Sequence, residues 1–188
     1  DQQIALGTAT GPYQPAERTF RITRRVLERL AQVHGLSVGI ITKSPLIARD
    51  VDVLTRLAER SRVTVLISLI SVDALLVRKL EARSPVPAVR LGALEKLARA
   101  GIHAGVLIAP VLPGITDDVP HLEALMRAAK DAGAAFARAD PLRLYPPIRR
   151  RFLPVIEQEF PALLARYERA FDVRGFVTKE YAAALNRR

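Results

Sequence analysis

Short apolar runs alternate with longer amphipathic stretches along most of the chain. The runs Gln3–Leu6, Val38–Thr42, Val63–Leu69, Ala104–Ala109 and the weaker Ala134–Ala139 predict five strands, each a few aliphatic or β-branched residues long and bounded by glycine or polar residues. The stretches between them carry apolar residues at helical spacing. A helix is expected from Glu17 to His34, with Phe20, Leu27, Leu30, Ala31 and His34 on one face and Gly35 as its stop. A second is expected from Asp50 to Arg60, with Asp50 as N-cap and Val51, Leu54, Leu57 and Ala58 inside. A short helix follows Asp73, carrying Leu76, Val77 and Leu80. The break at Ser84-Pro85-Val86-Pro87 separates it from another, Ala88 to Ala100, closed by Gly101. Asp118 caps a helix from Val119 that buries Leu122, Leu125, Met126 and Ala129 and ends at Gly133. The tail is helical near Arg149–Glu159 and again from Pro161.

Strict alternation of strand and helix implies an α/β fold with a parallel sheet, and continuous apolar strands imply burial on both faces. A doubly wound sheet and a βα barrel both satisfy the pattern. The first strand–helix loop has no G-x-G-x-x-G, which argues against a dinucleotide-binding sheet. Nothing in the chain reads as a linker, a low-complexity segment or a membrane span.

Composition changes this picture in three ways. The 188 residues are 49% hydrophobic with few aromatics, so one aliphatic core is expected. There is no cysteine, which excludes disulfides and thiolate metal sites within these residues. The formal net charge of +10, mostly arginine, favours a polyanionic partner such as nucleic acid, unless the arginines (Arg18, Arg21, Arg25 and Arg29, for example) only solvate helix faces. With no basic N-terminal region the expected location is cytoplasmic. The chain opens without methionine and almost within its first strand, so a preceding segment is expected.

Candidate chemistry gathers where strands end. Thr8 and Thr10 follow the first strand, Lys43 and Ser44 the second, Ser68 and Ser71 the third, and Asp140 and Arg143 the fifth. In a βα barrel all of these face the C-terminal mouth, where active sites form. Lys43 serves there as a point charge for carboxylate or phosphate or, if desolvated, as a Schiff-base nucleophile. The loop Gly7–Glu17 is stiffened by Pro12 and Pro15 and presents Thr8, Thr10, Tyr13, Gln14 and Glu17. Pro110–Asp117 is a second rigid loop, and Arg149-Arg150-Arg151 is the densest basic run. His34, His103 and His121 lack metal-ligand spacing. No residue stands out as catalytic.

These segments together resemble one family. Gly7-Thr-Ala-Thr-Gly-Pro-Tyr-Gln-Pro-Ala-Glu17 resembles the G-T-x-T-D-P-Y-Q-P-x-E segment of radical S-adenosylmethionine (radical SAM) proteins related to spore photoproduct lyase. Thr42-Lys43-Ser44, Ser68–Asp73, Leu80-Glu81-Ala82-Arg83, Arg90-Leu91, Ala100-Gly101-Ile102 and Ala109–Gly114 are similar to further segments of that group, in its order over residues 3–145. The resemblance implies a partial (β/α)6 TIM-like barrel over residues 1–145, lacking its first βα unit, with residues 146–188 as a C-terminal helical extension of the same domain. In the family the absent unit carries the three cysteines of a 4Fe-4S cluster. There S-adenosylmethionine is cleaved to a 5′-deoxyadenosyl radical that abstracts a substrate hydrogen.

For this chain the resemblance implies Thr8, Thr10, Tyr13, Gln14, Lys43 and Ser68 as cofactor-binding residues. Thr10 corresponds to the cofactor's amino group, Lys43 to its carboxylate and Ser68 to its ribose side, while Tyr13 and Gln14 match without a role. No metal ligand is implied in these residues. An electron donor and a nucleic-acid substrate are the expected partners. Gly11 departs from the family's Asp, and Ala82 from its Pro. Two alternatives stand beside this reading: a cluster-free lyase or aldolase using Lys43, and a non-catalytic nucleic-acid-binding remnant. An incomplete barrel would also leave its first strand with an open edge.

Overall fold

In the computed structural model, which describes residues 3–8 and 10–185, each expected apolar run is a strand. β1 (Gln3–Leu6), β2 (Ser37–Thr42), β3 (Arg62–Ser68), β4 (Ala104–Val111) and β5 (Ala137–Pro141) form one parallel sheet in sequence order. The register aligns Ile4 with Val38, Val38 with Val63, Ser68 with Leu107 and Leu107 with Arg138. Helices α1 (Glu17–Phe20), α2 (Ile22–Leu30), α3 (Val51–Ala58), α4 (Ala74–Leu80), α5 (Pro87–Arg99) and α6 (Val119–Asp131) connect the strands. After β5 come α7 (Pro146–Glu159), α8 (Leu164–Arg169) and α9 (Lys179–Leu185). Among the described residues β1 is paired on one side only. Ala9, within the first loop, lies outside the described residues, as do the first two and last three.

The sheet is buried on one face. Val38, Ile40, Val63, Val65, Ile67, Val106 and Ile108 pack against Leu27, Leu54, Leu57, Leu94, Leu97 and Leu125 from the helices. At about 1.5–3 kcal/mol per buried aliphatic side chain, this layer is the main source of stability. The intervening residues Gly39, Ile41, Thr64 and Leu66 are only half-buried. The expected burial on both faces is therefore corrected for β2 and β3. The helices lie on one side, as in an open segment of barrel, and leave the other face uncovered. β4 alone is buried along Ala104–Ile108; Phe136 packs so close to Gly105 that a Cβ there would lie 2.3 Å from the Phe136 carbonyl oxygen.

The helix expected from Glu17 to His34 is broken. Arg21 takes a left-handed conformation (φ 50°) between α1 and α2, and Phe20 is 62% exposed. The cause lies in the side chain of Glu17, whose carboxylate accepts from the Thr23 and Arg24 amides (3.0 and 3.3 Å). It satisfies the first free amides of α2 from the preceding turn, so a new helix starts there. Asp50 does precede α3, but its side chain makes no cap bond. Two guanidiniums claim it, as described below. On α3 Val53 rather than Ala58 is buried, and on α6 Met126 is exposed. β5 starts at Ala137, three residues later than expected, and α7 begins at Pro146, where a missing N–H costs nothing.

The loop after β4 is braced by its own side chains. Within Pro110–Asp117, the Leu112 amide donates to Thr116 Oγ1 (2.8 Å) and the Gly114 amide to Asp117 Oδ1 (2.8 Å). Asp117 also accepts from the Tyr181 hydroxyl (3.1 Å), tying α9 to this loop. Leu112, Leu142, Leu144, Ile156, Tyr167 and Phe171 form a second, smaller core under α7 and α8.

Candidate functional site

The loop after β1 is half anchor and half display. Gly7 has φ +95°, and a Cβ there would fall 2.2 Å from the Ile41 carbonyl oxygen, so only glycine lets β1 leave the sheet this close to β2. Tyr13 is buried in the main core. Its hydroxyl is buried without a hydrogen-bond partner of normal geometry, and burial together with the nearby Asp50 carboxylate pushes its pKa up. Glu17 is 5% exposed. Burial alone would raise its pKa, but hydrogen bonds from the Thr23 and Arg24 amides and from Arg49 outweigh it and hold the carboxyl below its usual range. Arg49 reaches Glu17 Oε1 (3.1 Å) and also grips Asp50 (2.7 Å), which is fully buried and takes a further bond from Arg24 (3.1 Å). Arg24 continues to Asp52 (2.6 Å) and Glu28 (3.0 Å). Thr8, Thr10, Gly11 and Gln14 are exposed.

The loop after β2 is built around a lysine. Thr42 Oγ1 accepts from the Ser44 amide (3.0 Å), and Ser44 Oγ accepts from the Leu46 amide (3.3 Å), starting the 3₁₀ turn Pro45–Asp50. Between them Lys43 Nζ meets Glu81 Oε1 at 2.6 Å. The other Glu81 oxygen accepts from Arg90 Nη2 at 2.6 Å. Arg90 is fully buried near the start of α5. It donates through Nε to the Pro85 carbonyl (2.7 Å) and through Nη1 to the Ser68 carbonyl (2.9 Å). Burial pushes the Glu81 pKa up, but Lys43 and Arg90 outweigh it and hold the carboxyl below its usual range.

Between these two loops lies a cavity of about 440 Å³, lined by Gly11, Tyr13, Gln14, Lys43, Ser44 and Arg83 among others. Three of the six expected site residues, Tyr13, Gln14 and Lys43, line it. Thr8 and Thr10 are exposed on the first loop and are not in the wall of the cavity. Ser68 is buried, and its hydroxyl donates to the Ala109 carbonyl (3.3 Å). It connects to Lys43 only through Arg90 and Glu81. Those two residues stand in the segments that carry the resemblance, yet only their partners reveal their part. A carboxylate just after a helix and an arginine within an apolar helix pattern were the available signals.

The remaining strand-end residues have local partners. Arg143 lies over the Phe176 ring (5.7 Å), Asp140 meets Arg138 (3.5 Å), Ser71 Oγ accepts from the Asp73 amide (2.9 Å) and His121 Nε2 lies 3.1 Å from the Ile70 carbonyl. Among the described residues no group of three or more His, Asp or Glu could hold a metal.

Residues 2–126 match the Radical SAM superfamily. The chain belongs to that superfamily. Among curated proteins it is 32% identical to Rv2578c of Mycobacterium tuberculosis over all of this chain and 55% of that protein. It is 30% identical to MJ0683 of Methanocaldococcus jannaschii over 61% of this chain and 42% of that protein. The chain thus spans about half the length of the curated relatives it matches. The fold matches spore photoproduct lyase. One mutant of that enzyme aligns with TM-score 0.60 and 18% identity over 91% of this chain and 52% of its own. Another, with bound AdoMet and dinucleoside spore photoproduct, aligns with TM-score 0.59 and 20% identity over 85% and 45%. The parallel sheet with its flanking helices is therefore a segment of the radical SAM barrel, as the sequence resemblance implies. No helix among the described residues is long and apolar enough to cross a membrane.

Proposed function

We propose that these residues form the S-adenosylmethionine-holding part of a radical SAM enzyme that acts on nucleic acid. One observation carries the reading: Lys43 is fixed at the wall of a cavity with donor capacity to spare. An ammonium has three N–H donors, and Glu81 accounts for one. The other two suit the α-carboxylate of the cofactor, and about 440 Å³ lies within the range of small-molecule sites. Tyr13 and Gln14 wall the same cavity, and Thr8 and Thr10 are exposed on the same loop. Ser68 is buried outside the cavity wall with its hydroxyl on the Ala109 carbonyl, and no cofactor contact is assigned to it.

Bound beside an iron–sulfur cluster, S-adenosylmethionine supplies radical-initiating chemistry. The residues present do not fit the cluster itself: the chain has no thiol, and the carboxylates beside the cavity, Glu17 and Glu81, are committed to arginine and lysine. We therefore assign the cluster, and the contact with an electron donor, to residues outside these 188. The nucleic-acid substrate is supported by the +10 charge. The Schiff-base alternative is disfavoured by the state of Lys43, which is 42% exposed and ion-paired rather than desolvated and neutral.

The test is binding rather than turnover. Titration calorimetry should show S-adenosylhomocysteine, which has the carboxylate, binding the chain. Lys43→Met should weaken that binding by about tenfold or more, the value of one charge-assisted hydrogen bond. Methylthioadenosine, which lacks the carboxylate, should be unaffected by the substitution. Equal S-adenosylhomocysteine affinity in Lys43→Met, or no binding to the parent chain, overturns the reading.

A further inference from the structure

Two groups of arginines near the cavity differ in their partners. Arg24, Arg49 and Arg90 each hold a carboxylate and sit in or against the core. Arg18, Arg21, Arg25 and Arg83 are exposed and make no ion pair or side-chain hydrogen bond among the described residues. Other exposed, unpaired arginines among the described residues, such as Arg29, Arg127 and Arg150, lie elsewhere, but these four gather along two cavities. Arg18 and Arg83 line the cavity that holds Lys43. Arg18 also lines a second cavity of about 540 Å³, with Phe20, Arg21, Arg24 and Arg25. The two cavities share Arg18 and so adjoin. Together they make one basic track from the flank of the α1–α2 junction to the mouth.

The Glu17 caps account for the break between α1 and α2, but not for the two residues placed at it. Phe20 is 62% exposed among the guanidiniums, although the helical pattern gives it a buried place. Arg21 carries a long side chain at φ 50°, a left-handed position where glycine is the unstrained residue. Strain kept at an exposed arginine beside an exposed aromatic is a sign of use.

We propose that this track binds a single strand of nucleic acid, with phosphates on Arg18, Arg21 and Arg25 and a base against Phe20, and leads it toward Lys43 and Arg83. The inference rests on the nucleic-acid part of the proposed function and gives it a place. Guanidiniums interleaved with an aromatic face match a strand whose charge and rings alternate. Glu28 and Asp52, both held by Arg24, put negative charge on the same flank, which a flat anionic bilayer would meet and a narrow strand can pass.

The experiment is fluorescence polarisation with a labelled oligothymidylate of roughly 12 nucleotides, a span within reach of one such surface. The parent chain should bind with a slope of log K against log salt of about −2, as three neutralised phosphates of a single strand give. The double variant Arg21→Gly/Arg25→Ala should lose about tenfold or more in affinity at low salt and reduce the slope by about 1.4. Glycine suits the left-handed backbone, so an unchanged circular dichroism spectrum will separate lost binding from lost fold. Phe20→Ala should weaken the oligothymidylate by about fivefold or more and leave an abasic oligomer unaffected. Arg150→Ala/Arg151→Ala, on α7, should change neither affinity nor slope. The track is overturned if Arg21→Gly/Arg25→Ala keeps parent affinity and slope, or if anionic vesicles bind and the oligomer does not. Absence of any oligomer binding at low salt removes the nucleic-acid reading and the track with it.

Discussion

Two charged networks flank the same cavity, and they differ in what they leave over. Around Glu17 and Asp50, three arginines meet four carboxylates, counting the more exposed Glu28 and Asp52 and the longer Arg56 contact to Asp52. Around Glu81, two cations meet one carboxylate. The first network is saturated: every positive charge is met by a carboxylate, and Arg24 and Arg49 join the first loop and α2 to α3. The second ends in an unspent positive charge, on the half-exposed Lys43 rather than on the buried Arg90. A buried arginine whose donors go to a carboxylate and to backbone carbonyls is structural, whereas a half-exposed lysine sharing that carboxylate is available to a ligand.

The strongest way to break this contrast is to remove the centre of the saturated network. Asp50→Ala leaves the Arg24 and Arg49 charges without their buried partner, and urea unfolding should show a loss of about 3–5 kcal/mol. Lys43→Met, in the open network, should cost less than about 1 kcal/mol by the same measurement, because the lysine is substantially exposed. Comparable losses from both would erase the distinction.

Acid sharpens it less drastically. Glu17 and Glu81 are held below the ordinary glutamate value of 4.5, and Asp52, hydrogen-bonded and ion-paired with Arg24, falls from 3.8 to about 2. Depressed carboxyl pKa values give stability that is complete above the unfolded values and is lost as pH falls through the folded ones. Urea midpoints should therefore decline between about pH 5 and pH 3. Glu17→Gln should start lower and decline less steeply over that interval. A parallel decline in both proteins would show that Glu17 is not held as described.

The sheet was legible in the sequence because five aliphatic, β-branched runs separated by helical periodicity leave little choice of topology. Two stops were legible for the same kind of reason: Gly101 and Gly133 take positive φ directly after the C-caps of α5 and α6, whereas α2 ends at Leu30, short of the expected stop at Gly35. What was hidden depends on side chains acting at a distance. The break at Arg21 follows from Glu17 capping α2 across a turn, and no local propensity reports that. Ile41 and Leu66 are as apolar as their buried neighbours, so the open face of the sheet left no mark on the pattern. In the site, Lys43 was legible from its place at a strand end. Glu81 and Arg90 were not, since their roles exist only once α4 and α5 bring them to β2 and β3. Ser68 was legible as polar at a strand end, but the structure commits its hydroxyl to Ala109.

A small effect of opposite sign is expected at Arg21. Arg21→Gly relieves the left-handed strain and leaves the Glu17 caps in place, so thermal or urea unfolding should show a gain of about 1 kcal/mol. A loss of that size would mean that the arginine side chain contributes to the saturated network after all.

The most direct test of the central claim sets the two networks side by side in one titration. S-adenosylhomocysteine is titrated into the parent chain, Lys43→Met and Arg24→Met, the last chosen because Arg49 still holds Asp50 when Arg24 is gone. The account predicts a loss of about tenfold or more for Lys43→Met and a change of less than about twofold for Arg24→Met. Equal losses in the two variants, or an undiminished affinity in Lys43→Met, would contradict it.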